Sequence, residues 1–439
     1  MEVENRIQRY ETYKDSGVEW LGEIPEHWKI KPGFTVLSES KEKNTGFIEK
    51  TVLSLSYGNV VIKPEEKLTG LVPESFETYQ LVKSGDIIIR PTDLQNDKTS
   101  LRTGLAKDNG IITSAYINLR VNGKNSNSFY HYYLHTIDIN KVIYGLGSGL
   151  RQNISFNDFK RFPFPFPPLK EQTAIAQFLD DKTTKIDQAI AIKEQQINLL
   201  KERKQILIHK AVTRGLDDTV KLKDSGVEWI GAIPEHWEVK KLKYILKNKL
   251  KYGANESGIE YDIDLPRYVR ITDFGTDGKL NEENKLSLSW KNGGDYLLKD
   301  GDILFARSGA TVGKTYQFKK SMSVENDYCF AGYLIKAEAN EEIILSDFLY
   351  LFTNSELFNK WKDSIFIKAT IENIGADKYA QLPVILPSII KQKEILLKYE
   401  ADNKKIETAI SLKQQEIEKL KEYKSSLINS VVTGKVRVC

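Results

Sequence analysis

The sequence predicts a mixed α/β (α+β) protein in which a long antiparallel two-helix coiled coil separates two globular domains. Three observations predict this fold. A tryptophan-rich segment occurs twice, a long helix with a heptad pattern occurs twice, and a region of short strands and helices lies between them in each half. The order of segments is the same in both halves, which indicates an internal duplication with pseudo-two-fold character.

The tryptophan-rich segment, called the box below, reads KDSGVEWLGEIPEHW at residues 14–28 and KDSGVEWIGAIPEHW at residues 223–237. The offset is 223 − 14 = 209, and the two copies differ at two positions only. Glycine and proline in the box mark turns, and its two tryptophans require buried or interface surface. A match of this length indicates duplication within the gene.

The repeated helix is predicted at about 169–212 and again at about 389–432. One side-chain stripe, with alternating steps of four and three, recurs at an offset of 220. Its members are Ile186, Ile190, Lys193, Ile197, Leu200, Lys204, Leu207 and Ala211, then Ile406, Ile410, Lys413, Ile417, Leu420, Lys424, Leu427 and Val431. A 3.5-residue period of this length predicts a coiled-coil seam, whose lysines weaken it and can fix its register. The alternative is two unrelated amphipathic helices, each packed on its own domain.

The two middle regions, at about 29–168 and 238–387, share little sequence but one landmark. LVKSGDIIIR at 81–90 parallels LLKDGDILFAR at 297–307, and each predicts a turn at Lys-x-Gly-Asp followed by a buried strand. Other strands are predicted at 51–55, 111–119, 268–271 and 328–335, and helices at 128–137 and 346–359. Each region ends in a proline-rich exit that leads into the long helix.

Four sequence regions follow from this reading. They are a first globular domain with its box at 1–168, the first long helix at 169–212, the second box and globular domain at 213–387, and the second long helix with the tail at 388–439. If the helices pair on their seams, the shortest connection is antiparallel, which predicts one globule at each end of a helical rod.

Composition sets outer bounds on function. The chain has 64 basic and 60 acidic side chains, and this near balance neither requires nor forbids nucleic acid, since clustering matters more than the sum. The two cysteines, Cys329 and Cys439, form neither a zinc motif nor a disulfide framework, which favours a reducing cytoplasm. A polar N-terminus and the absence of an 18-residue apolar run predict neither signal peptide nor membrane span.

The box pattern SGVEWxGxIPEHW, the exit PPLKEQ at 167–172, the helix after it and the duplication resemble the specificity subunit of type I restriction-modification systems. The resemblance covers almost the entire chain. The second exit departs from it, because PSIIKQ at 387–392 stands where Pro-Pro-x-x-Glu-Gln is usual.

The resemblance implies that the globules are target recognition domains, similar in fold to that of adenine-specific type II methyltransferases. It implies that the boxes and helices dock two modification subunits, and that the helix pair sets the number of unread bases between two half-sites. It also implies two ATP-dependent restriction subunits. S-adenosylmethionine, ATP and Mg would belong to the partner subunits, and this chain would hold no cofactor.

Duplex DNA has a two-fold symmetric backbone, so two divergent globules on a repeated scaffold predict an asymmetric, split target. Arg90 and Arg307 leave equivalent strands and are suited to guanine or phosphate, with a surface salt bridge as the alternative. Asn153 and Asn373 in the exit loops are candidates for readout or for bracing the helix start. The predicted DNA contacts are Tyr57, Asn59, Arg90, Lys98, Thr99, Arg102, Arg151, Gln152, Arg307, Ser308, Thr311, Lys314, Tyr316, Lys368 and Thr370.

Two motifs suggest other chemistry. SGATVGKT at 308–315 nearly matches a phosphate-binding P-loop, but Ser308 stands where the motif needs glycine. The interpretations kept open are a loop that meets DNA phosphate and a plain turn, with nucleotide binding a weak third. His131 and His135 lack the glutamate of a zinc-protease motif, which favours an ordinary helix face. We predict no catalytic residue and no metal site.

Three functions are therefore compared. The favoured one is a non-catalytic, cytoplasmic subunit that reads double-stranded DNA for a methylating and cleaving complex. The first rival is an enzyme that uses the near-P-loop as a nuclease or nucleotidase. The second rival is a protein-only scaffold with two adaptor domains on a coiled-coil rod.

Overall fold

The computed structural model describes residues 8–64, 66, 76–94, 101–146, 152–217, 219–275, 278–309, 311–366 and 373–438. The chain forms two compact units. The first comprises Met1–Lys193 and Gln414–Cys439, and the second comprises Glu194–Lys413. Each unit thus contains one box, one middle region and a segment of both long helices.

The first unit consists of short strands and helices in the following order. The strands are β1 (Tyr13–Asp15), β2 (Glu23–Pro25), β3 (Lys29–Pro32), β4 (Leu37–Ser40), β5 (Leu53–Ser56), β6 (Asn59–Ile62), β7 (Gln80–Val82), β8 (Ile87–Ile89), β9 (Thr103–Leu105), β10 (Gly110–Ile112), β11 (Ile117–Val121) and β12 (Pro163–Phe166). The helices are α1 (Gly33–Val36), α2 (Asn127–Ile139), α3 (Phe156–Lys160) and the long α4 (Leu169–Arg214), which continues into the second unit.

The second unit repeats this plan with additions. Its strands are β13 (Leu222–Asp224), β14 (Ala232–Pro234), β15 (Glu238–Lys241), β16 (Lys251–Tyr252), β17 (Ile259–Glu260), β18 (Arg267–Val269), β19 (Leu286–Ser287), β20 (Ile303–Ala306), β21 (Thr315–Gln317), β22 (Tyr328–Phe330), β23 (Leu334–Ala337) and β24 (Pro383–Leu386). Its helices are α5 (Trp290–Gly293), α6 (Ser346–Thr353), α7 (Glu356–Phe366), α8 (Ala376–Tyr379) and the long α9 (Ile389–Val432). The mixed α/β fold class is confirmed.

Each box folds as a short antiparallel hairpin with the same register. Tyr13 faces Pro25 in β1–β2, and Leu222 faces Pro234 in β13–β14, so both partners are shifted by 209. The connecting turn begins at Gly17 or Gly226, each with a positive φ, whose N–H donates to the aspartate two residues earlier. The turn chemistry is local, so the repeated sequence reproduces it in both units.

One four-stranded antiparallel sheet recurs in the two units. Its strand order is β4-β11-β8-β9 in the first and β16-β23-β20-β21 in the second. The central strands β8 and β20 are wholly buried, as the Lys-x-Gly-Asp landmark predicts. The second unit also contains the sheet β17-β19-β18-β22, in which β18 and β22 are parallel.

A buried glutamine fixes the start of each long helix. Gln172 donates to the carbonyl of Pro167 at 2.9 Å and accepts from the N–H of Ser126, the N-cap of α2, at 3.0 Å. Gln392 likewise donates to Pro387 at 2.8 Å and accepts from Leu345, just before α6, at 2.8 Å. The exit glutamine therefore ties each long helix to the start of a helix in its own middle region, α2 in the first unit and α6 in the second.

The residue before the exit glutamine differs between the two copies of the long helix. Glu171 accepts from the indole N–H of the fully buried Trp28 at 2.6 Å, and its other oxygen lies 2.6 Å from Nε2 of His27. In the second copy Lys391 stands at this position, and its ammonium pairs with Glu394 at 3.1 Å. The indole N–H of buried Trp237 has no acceptor among the described residues.

Both long helices end at a glycine that packs on a box tryptophan. Gly215 follows α4 and Gly434 follows α9, each with positive φ, as is common just beyond helix C-termini. A Cβ on Gly434 would lie 3.1 Å from the Trp28 ring, and one on Gly215 would lie 3.1 Å from Trp237. A box tryptophan thus meets the start of one long helix and the end of the other.

The first unit is closed by the two ends of the chain. Arg437 donates its backbone N–H to the carbonyl of Gln8 at 2.8 Å, in an antiparallel bridge. The position in the second unit that is equivalent to Arg437 is 437 − 220 = 217, from the helix offset. The position equivalent to Gln8 is 8 + 209 = 217, from the box offset. A single residue, Asp217, occupies the equivalent position in the second unit, where the chain is continuous.

In the first unit the two long-helix segments run antiparallel on the predicted seam. Lys424 of α9 lies 2.7 Å from both carboxylate oxygens of Asp187 on α4, and Lys193 pairs with Glu416. Partner numbers fall along α9 as they rise along α4, which defines the antiparallel direction. Both seam lysines of this unit, Lys193 and Lys424, pair with a carboxylate on the facing helix, which favours one register.

The second unit shows the same pairing with different residues. Lys204 of α4 pairs with Glu407 of α9, and Lys398 donates to the carbonyl of Leu216 at 3.0 Å. Seam side chains such as Ile410 are buried. The prediction of antiparallel pairing along the seam is confirmed within each unit, and α4 extends two residues beyond its predicted end.

Several predicted elements are divided by turns. The strand predicted at 111–119 is two strands, β10 and β11, and that at 328–335 is β22 and β23. The helix predicted at 346–359 breaks into α6 and α7, because Ser355 turns its hydroxyl back to the carbonyl of Phe352 at 2.6 Å. Among the described residues, no helix is both long and apolar enough to cross a membrane.

His131 and His135 lie one turn apart on α2, as an ordinary helix face. Their rings are 6.1 Å apart, and one nitrogen of each is shielded from solvent without a partner among the described residues. Burial, with the charge of His135, lowers the pKa of His131 to about 3, and burial with the charge of Lys424 lowers that of His135 to about 4. Both rings are therefore neutral in the folded protein at neutral pH.

Substitutions at Glu171 and Lys391, the residues before the two exit glutamines, should change the stability of the two units in opposite directions. Lys391→Glu supplies Trp237 with the missing acceptor and should stabilise the second unit by about 1 kcal/mol. Glu171→Lys should destabilise the first unit by about 1 to 3 kcal/mol, because a buried N–H loses its partner. Hydrogen exchange of peptides containing either tryptophan measures each effect separately. Unchanged protection around Trp237 in Lys391→Glu, with Lys391→Gln as control, would contradict this account.

Acid should destabilise the first unit through its histidine pair. Unfolded histidine has a pKa near 6.5, so the unfolded chain binds more protons than the folded one between about pH 6.5 and pH 4. The melting temperature should therefore fall as pH is lowered through this window. His131→Gln/His135→Gln should flatten that fall. Equal pH slopes for wild type and the double variant would disprove the role of the pair.

Candidate nucleic-acid interface

In each unit the Lys-x-Gly-Asp turn precedes the central strand, β8 or β20, whose far end lies at the candidate site. Gly85 and Gly301 have φ of +93° and +86°, which favours glycine. The aspartates that follow, Asp86 and Asp302, accept the N–H three residues earlier at 2.9 and 2.8 Å. Since these bonds are local and recur, the strands β8 and β20 leave the turn in the same way.

The end of each central strand meets the exit loop of its own unit. In the first unit Ile154 donates to the carbonyl of Pro91 at 2.9 Å, and Asn153 accepts from the N–H of Asp93 at 3.1 Å. In the second unit Ile374 donates to the carbonyl of Arg307 at 2.9 Å. Two segments predicted separately from sequence, the strand end and the exit loop, therefore converge in both units.

Asn153 braces this junction through its side-chain oxygen, which supports the bracing interpretation over base readout for that residue. In the second unit Ser308 and Asn373 form an antiparallel backbone bridge at the same place. The side-chain oxygen of Asn373 is shielded and has no partner among the described residues. The two junctions have a similar backbone arrangement but differ in side-chain chemistry.

Arg307 lies in an aromatic and polar cluster in the second unit. Its guanidinium is 5.1 Å from the ring centroid of Tyr252, and its backbone N–H donates to Tyr333 at 3.0 Å. The hydroxyl of Tyr252 accepts the N–H of Ala376 at 2.9 Å, at the start of α8. A cleft of about 460 Å³ opens beside the cluster and is lined by Glu256, Gly258, Tyr268, Arg270, Ile271, Thr272, Leu286, Ser308, Ala331 and Tyr333.

Sequence reasoning missed two prominent residues of this cleft. Tyr333 is 64% exposed in the turn between β22 and β23, and that turn was hidden by the prediction of one continuous strand. Arg270 follows β18 as Arg307 follows β20, so the same strand-end reasoning identifies it. Its guanidinium is held by Asp273 at 2.9 Å.

A buried ion cluster holds β18 in position. The Arg267 side chain, almost fully buried, lies 3.3 Å from Glu325, which also accepts from Lys285 at 2.7 Å and from Tyr328. Burial alone would raise the pKa of Glu325, but these hydrogen bonds and the arginine charge outweigh it and lower the pKa to about 2. The carboxylate is thus ionised throughout the physiological range, and β18 presents Arg270 to the cleft.

In the near-P-loop of the second unit, three backbone amides already donate to carbonyls of the protein. Val312 donates to Gly309 at 2.9 Å, Gly313 to Ala306 at 2.9 Å and Lys314 to Thr311 at 3.0 Å. A phosphate-binding loop needs these N–H groups free to point at the ligand. The plain-turn interpretation is favoured, and this conformation does not support nucleotide binding.

The other predicted residues of the second unit have different positions. Thr311 and Lys314 are exposed, and the Lys314 ammonium donates to the carbonyl of Phe274 at 2.7 Å. Tyr316 is 5% exposed and its ring is stacked on that of Phe274, with 5.1 Å between the centroids, so this conformation does not present it to DNA. Lys368 and Thr370 lie outside the described residues.

In the first unit the hairpin β5–β6 carries the exposed candidates. Tyr57, at its tip, is 82% exposed with a φ of +46°, and exposed Asn59 donates to its carbonyl at 3.2 Å. A Cβ on Gly104 in β9 would lie 3.1 Å from the carbonyl of Gly58, so the hairpin packs over the strand beside β8. Tyr57 and Asn59 both remain predicted DNA contacts, on a hairpin that packs against the central sheet of the first unit.

Arg90 and Gln152 are half-buried at the junction, and Gln152 has a φ of +44°. Arg102 is fully buried, and its guanidinium donates to the carbonyls of Thr92 at 2.7 Å and Asp93 at 2.9 Å. Arg102 braces the junction from inside, so this conformation does not present its side chain to DNA. Lys98, Thr99 and Arg151 lie outside the described residues.

Comparison with known proteins agrees with this architecture. Residues 26–202 match the family model of the type I restriction modification DNA specificity domain. The MjaVIII specificity subunit of Methanocaldococcus jannaschii is 25% identical over 75% of this chain and 75% of its own. The EcoKI specificity subunit of Escherichia coli (strain K12) is 24% identical over 86% of this chain and 82% of its own.

Residues 26–202 therefore resemble a type I restriction modification DNA specificity domain, and most of the chain is similar to type I specificity subunits. A chain from a solved type I R-M system, in work on complex assembly and conformational transition, shares the fold with a TM-score of 0.68 at 13% identity, covering 93% of this chain and 98% of that one. The chain thus carries two repeated frames with divergent side chains at equivalent junctions.

Proposed function

We propose that this specificity subunit reads an asymmetric bipartite DNA target, with one half-site for each unit. The observation that carries the proposal is the repeated junction. A strand-end arginine, Arg90 or Arg307, stands beside an exit loop in both units, while the surrounding side chains differ. Because the backbone of the junction is repeated, the two units should bind DNA in a related orientation. Because the side chains around it differ, they should recognise different bases.

The proposal includes the partners of the complex. The boxes and long helices dock two modification subunits, which bind S-adenosylmethionine, and two restriction subunits use ATP and Mg to complete the nuclease. The chain itself catalyses neither methylation nor cleavage and acts in the cytoplasm. The names of its relatives support a role in such a system, and the repeated boxes supply two equivalent surfaces for two equivalent partners.

The rival functions are separated by simple measurements. An enzyme using the near-P-loop would hydrolyse ATP or cut DNA as the purified chain alone, and the committed amides of that loop oppose this. A protein-only scaffold would enrich no motif from a random duplex pool. Enrichment of a split motif supports the favoured function, and sequencing the methylated DNA of a host that expresses the chain with its genomic neighbours identifies that motif.

Single arginine substitutions should alter one half-site each. Arg307→Ala should weaken recognition at one half by about 1 to 3 kcal/mol, the usual value of a good base contact. Arg90→Ala is the matched variant and should affect the opposite half. Selection of bound duplexes followed by sequencing measures both. A change at both half-sites in either variant would contradict the assignment of one half-site per unit.

Lengthening the helix pair should lengthen the unread gap. Seven residues inserted into each long helix keep the seam in phase and add about 10 Å of helix, equal to about 3 base pairs. The methylated motif should then show the same two half-sites further apart. Insertion into one helix only, which breaks the pairing, serves as the control. An intact motif with an unchanged gap would refute the spacing role.

A further inference from the structure

The segment after the second box, residues 240–252, presents a row of cations. It reads KKLKYILKNKLKY, with six lysines and no acidic residue. Leu242 and Ile245 are fully buried in the core of the second unit, and Leu246 and Leu250 pack against it. Because the apolar residues face inward, all six lysines are exposed. We call this stretch the lysine segment.

Few of these charges are neutralised by the protein. Lys240 pairs with Glu238 at 3.0 Å, and Lys247 approaches Glu338 at 3.6 Å. The Lys251 ammonium donates to a backbone carbonyl. In the described part of the second unit, no carboxylate lies at ion-pair distance from the other three, Lys241, Lys243 and Lys249.

The lysine segment leads directly to the candidate interface. It ends at Tyr252, whose ring lies 5.1 Å from the Arg307 guanidinium. Its last two residues form β16, which pairs with β23, and β23 pairs with β20, the strand that Arg307 follows. The lysine segment therefore ends beside the strand-end arginine of this unit.

The first unit has no comparable surface at the equivalent position. Residues 31–43, at the box offset of 209, hold three lysines and two glutamates, for a net charge of 3 − 2 = +1 against +6 in the lysine segment. Lys41 pairs with Glu39 at 3.0 Å, and the Lys31 ammonium lies over the Phe166 ring at 3.3 Å. The concentration of positive charge is a property of the second unit.

We propose that the lysine segment binds the phosphate backbone of duplex DNA that flanks the half-site read by the second unit. This inference rests on the proposed DNA-reading function and adds a contact that is independent of sequence. Lysine suits this role because its ammonium is a mobile point charge that attracts phosphate and carries no base information. The two halves of the target are then held with unequal electrostatic strength.

The test uses the triple variant Lys241→Gln/Lys243→Gln/Lys249→Gln, assembled with its modification subunits. The probe is a duplex that carries the methylated motif with about one helical turn, roughly 10 base pairs, on each side. Each lost phosphate contact lowers the slope of log binding constant against log salt by about 0.9, so the slope should fall by about 2 to 3. The preferred motif should stay the same, because phosphate contacts act uniformly across sequences.

A matched control removes the same charge elsewhere. Lys124→Gln/Lys291→Gln/Lys320→Gln alters three exposed lysines outside the candidate interface and should keep the wild-type slope. Shortening the probe beyond the second half-site should lower the wild-type slope towards that of the lysine-segment variant. Shortening it beyond the first half-site should leave the difference between the two proteins intact.

The outcomes distinguish a failure of the lysine-segment inference from a failure of the proposed DNA-reading function. Motif-specific binding by all proteins, with equal salt slopes for the triple variant and the control, would overturn the lysine-segment inference alone. Loss of a modification subunit from the triple variant on size exclusion would show that the segment faces an acidic protein surface and would also overturn it. If the wild-type assembly binds no motif, the proposed function fails and this inference fails with it.

Discussion

The structure depends on a buried indole held between two helix ends. In the first unit Trp28 is fully buried, hydrogen-bonded to Glu171 in the first turn of α4 and packed against Gly434 after α9. Truncation of a buried tryptophan to alanine costs about 3 to 5 kcal/mol, which is a large share of the stability of a domain. One side chain of the box thus joins the start of one long helix to the end of the other.

The duplication preserves this joint but not its polar partner. Trp237 occupies the equivalent place against Gly215, while Lys391 replaces the carboxylate and leaves the indole N–H without an acceptor among the described residues. The packing is retained because it depends on shape and on a glycine, whereas one hydrogen bond contributes only about 1 kcal/mol. The two units therefore share a geometry while differing in local stability.

A constant frame explains how the two recognition surfaces differ. The Lys-x-Gly-Asp turn, the buried central strand and the exit glutamine are satisfied by internal contacts, so they set the backbone without using exposed side chains. The surface residues around each junction are consequently free to vary. In the second unit the Arg307 guanidinium lies beside the Tyr252 ring, and the lysine segment adds charge on that side only.

Local patterns in the amino-acid sequence are enough to predict the repeated plan, the seam and the buried strand after each Lys-x-Gly-Asp turn, because periodicity and turn chemistry are local properties. The strand ends in the sequence also place Arg90 and Arg307 at equivalent junctions. The burial of Arg102 and Tyr316 emerges only from the folded chain, since it depends on neighbours distant in sequence. The meeting of strand end and exit loop, the closure of the first unit by Gln8 and Arg437, and the missing partner of Trp237 likewise depend on long-range packing that no local pattern encodes.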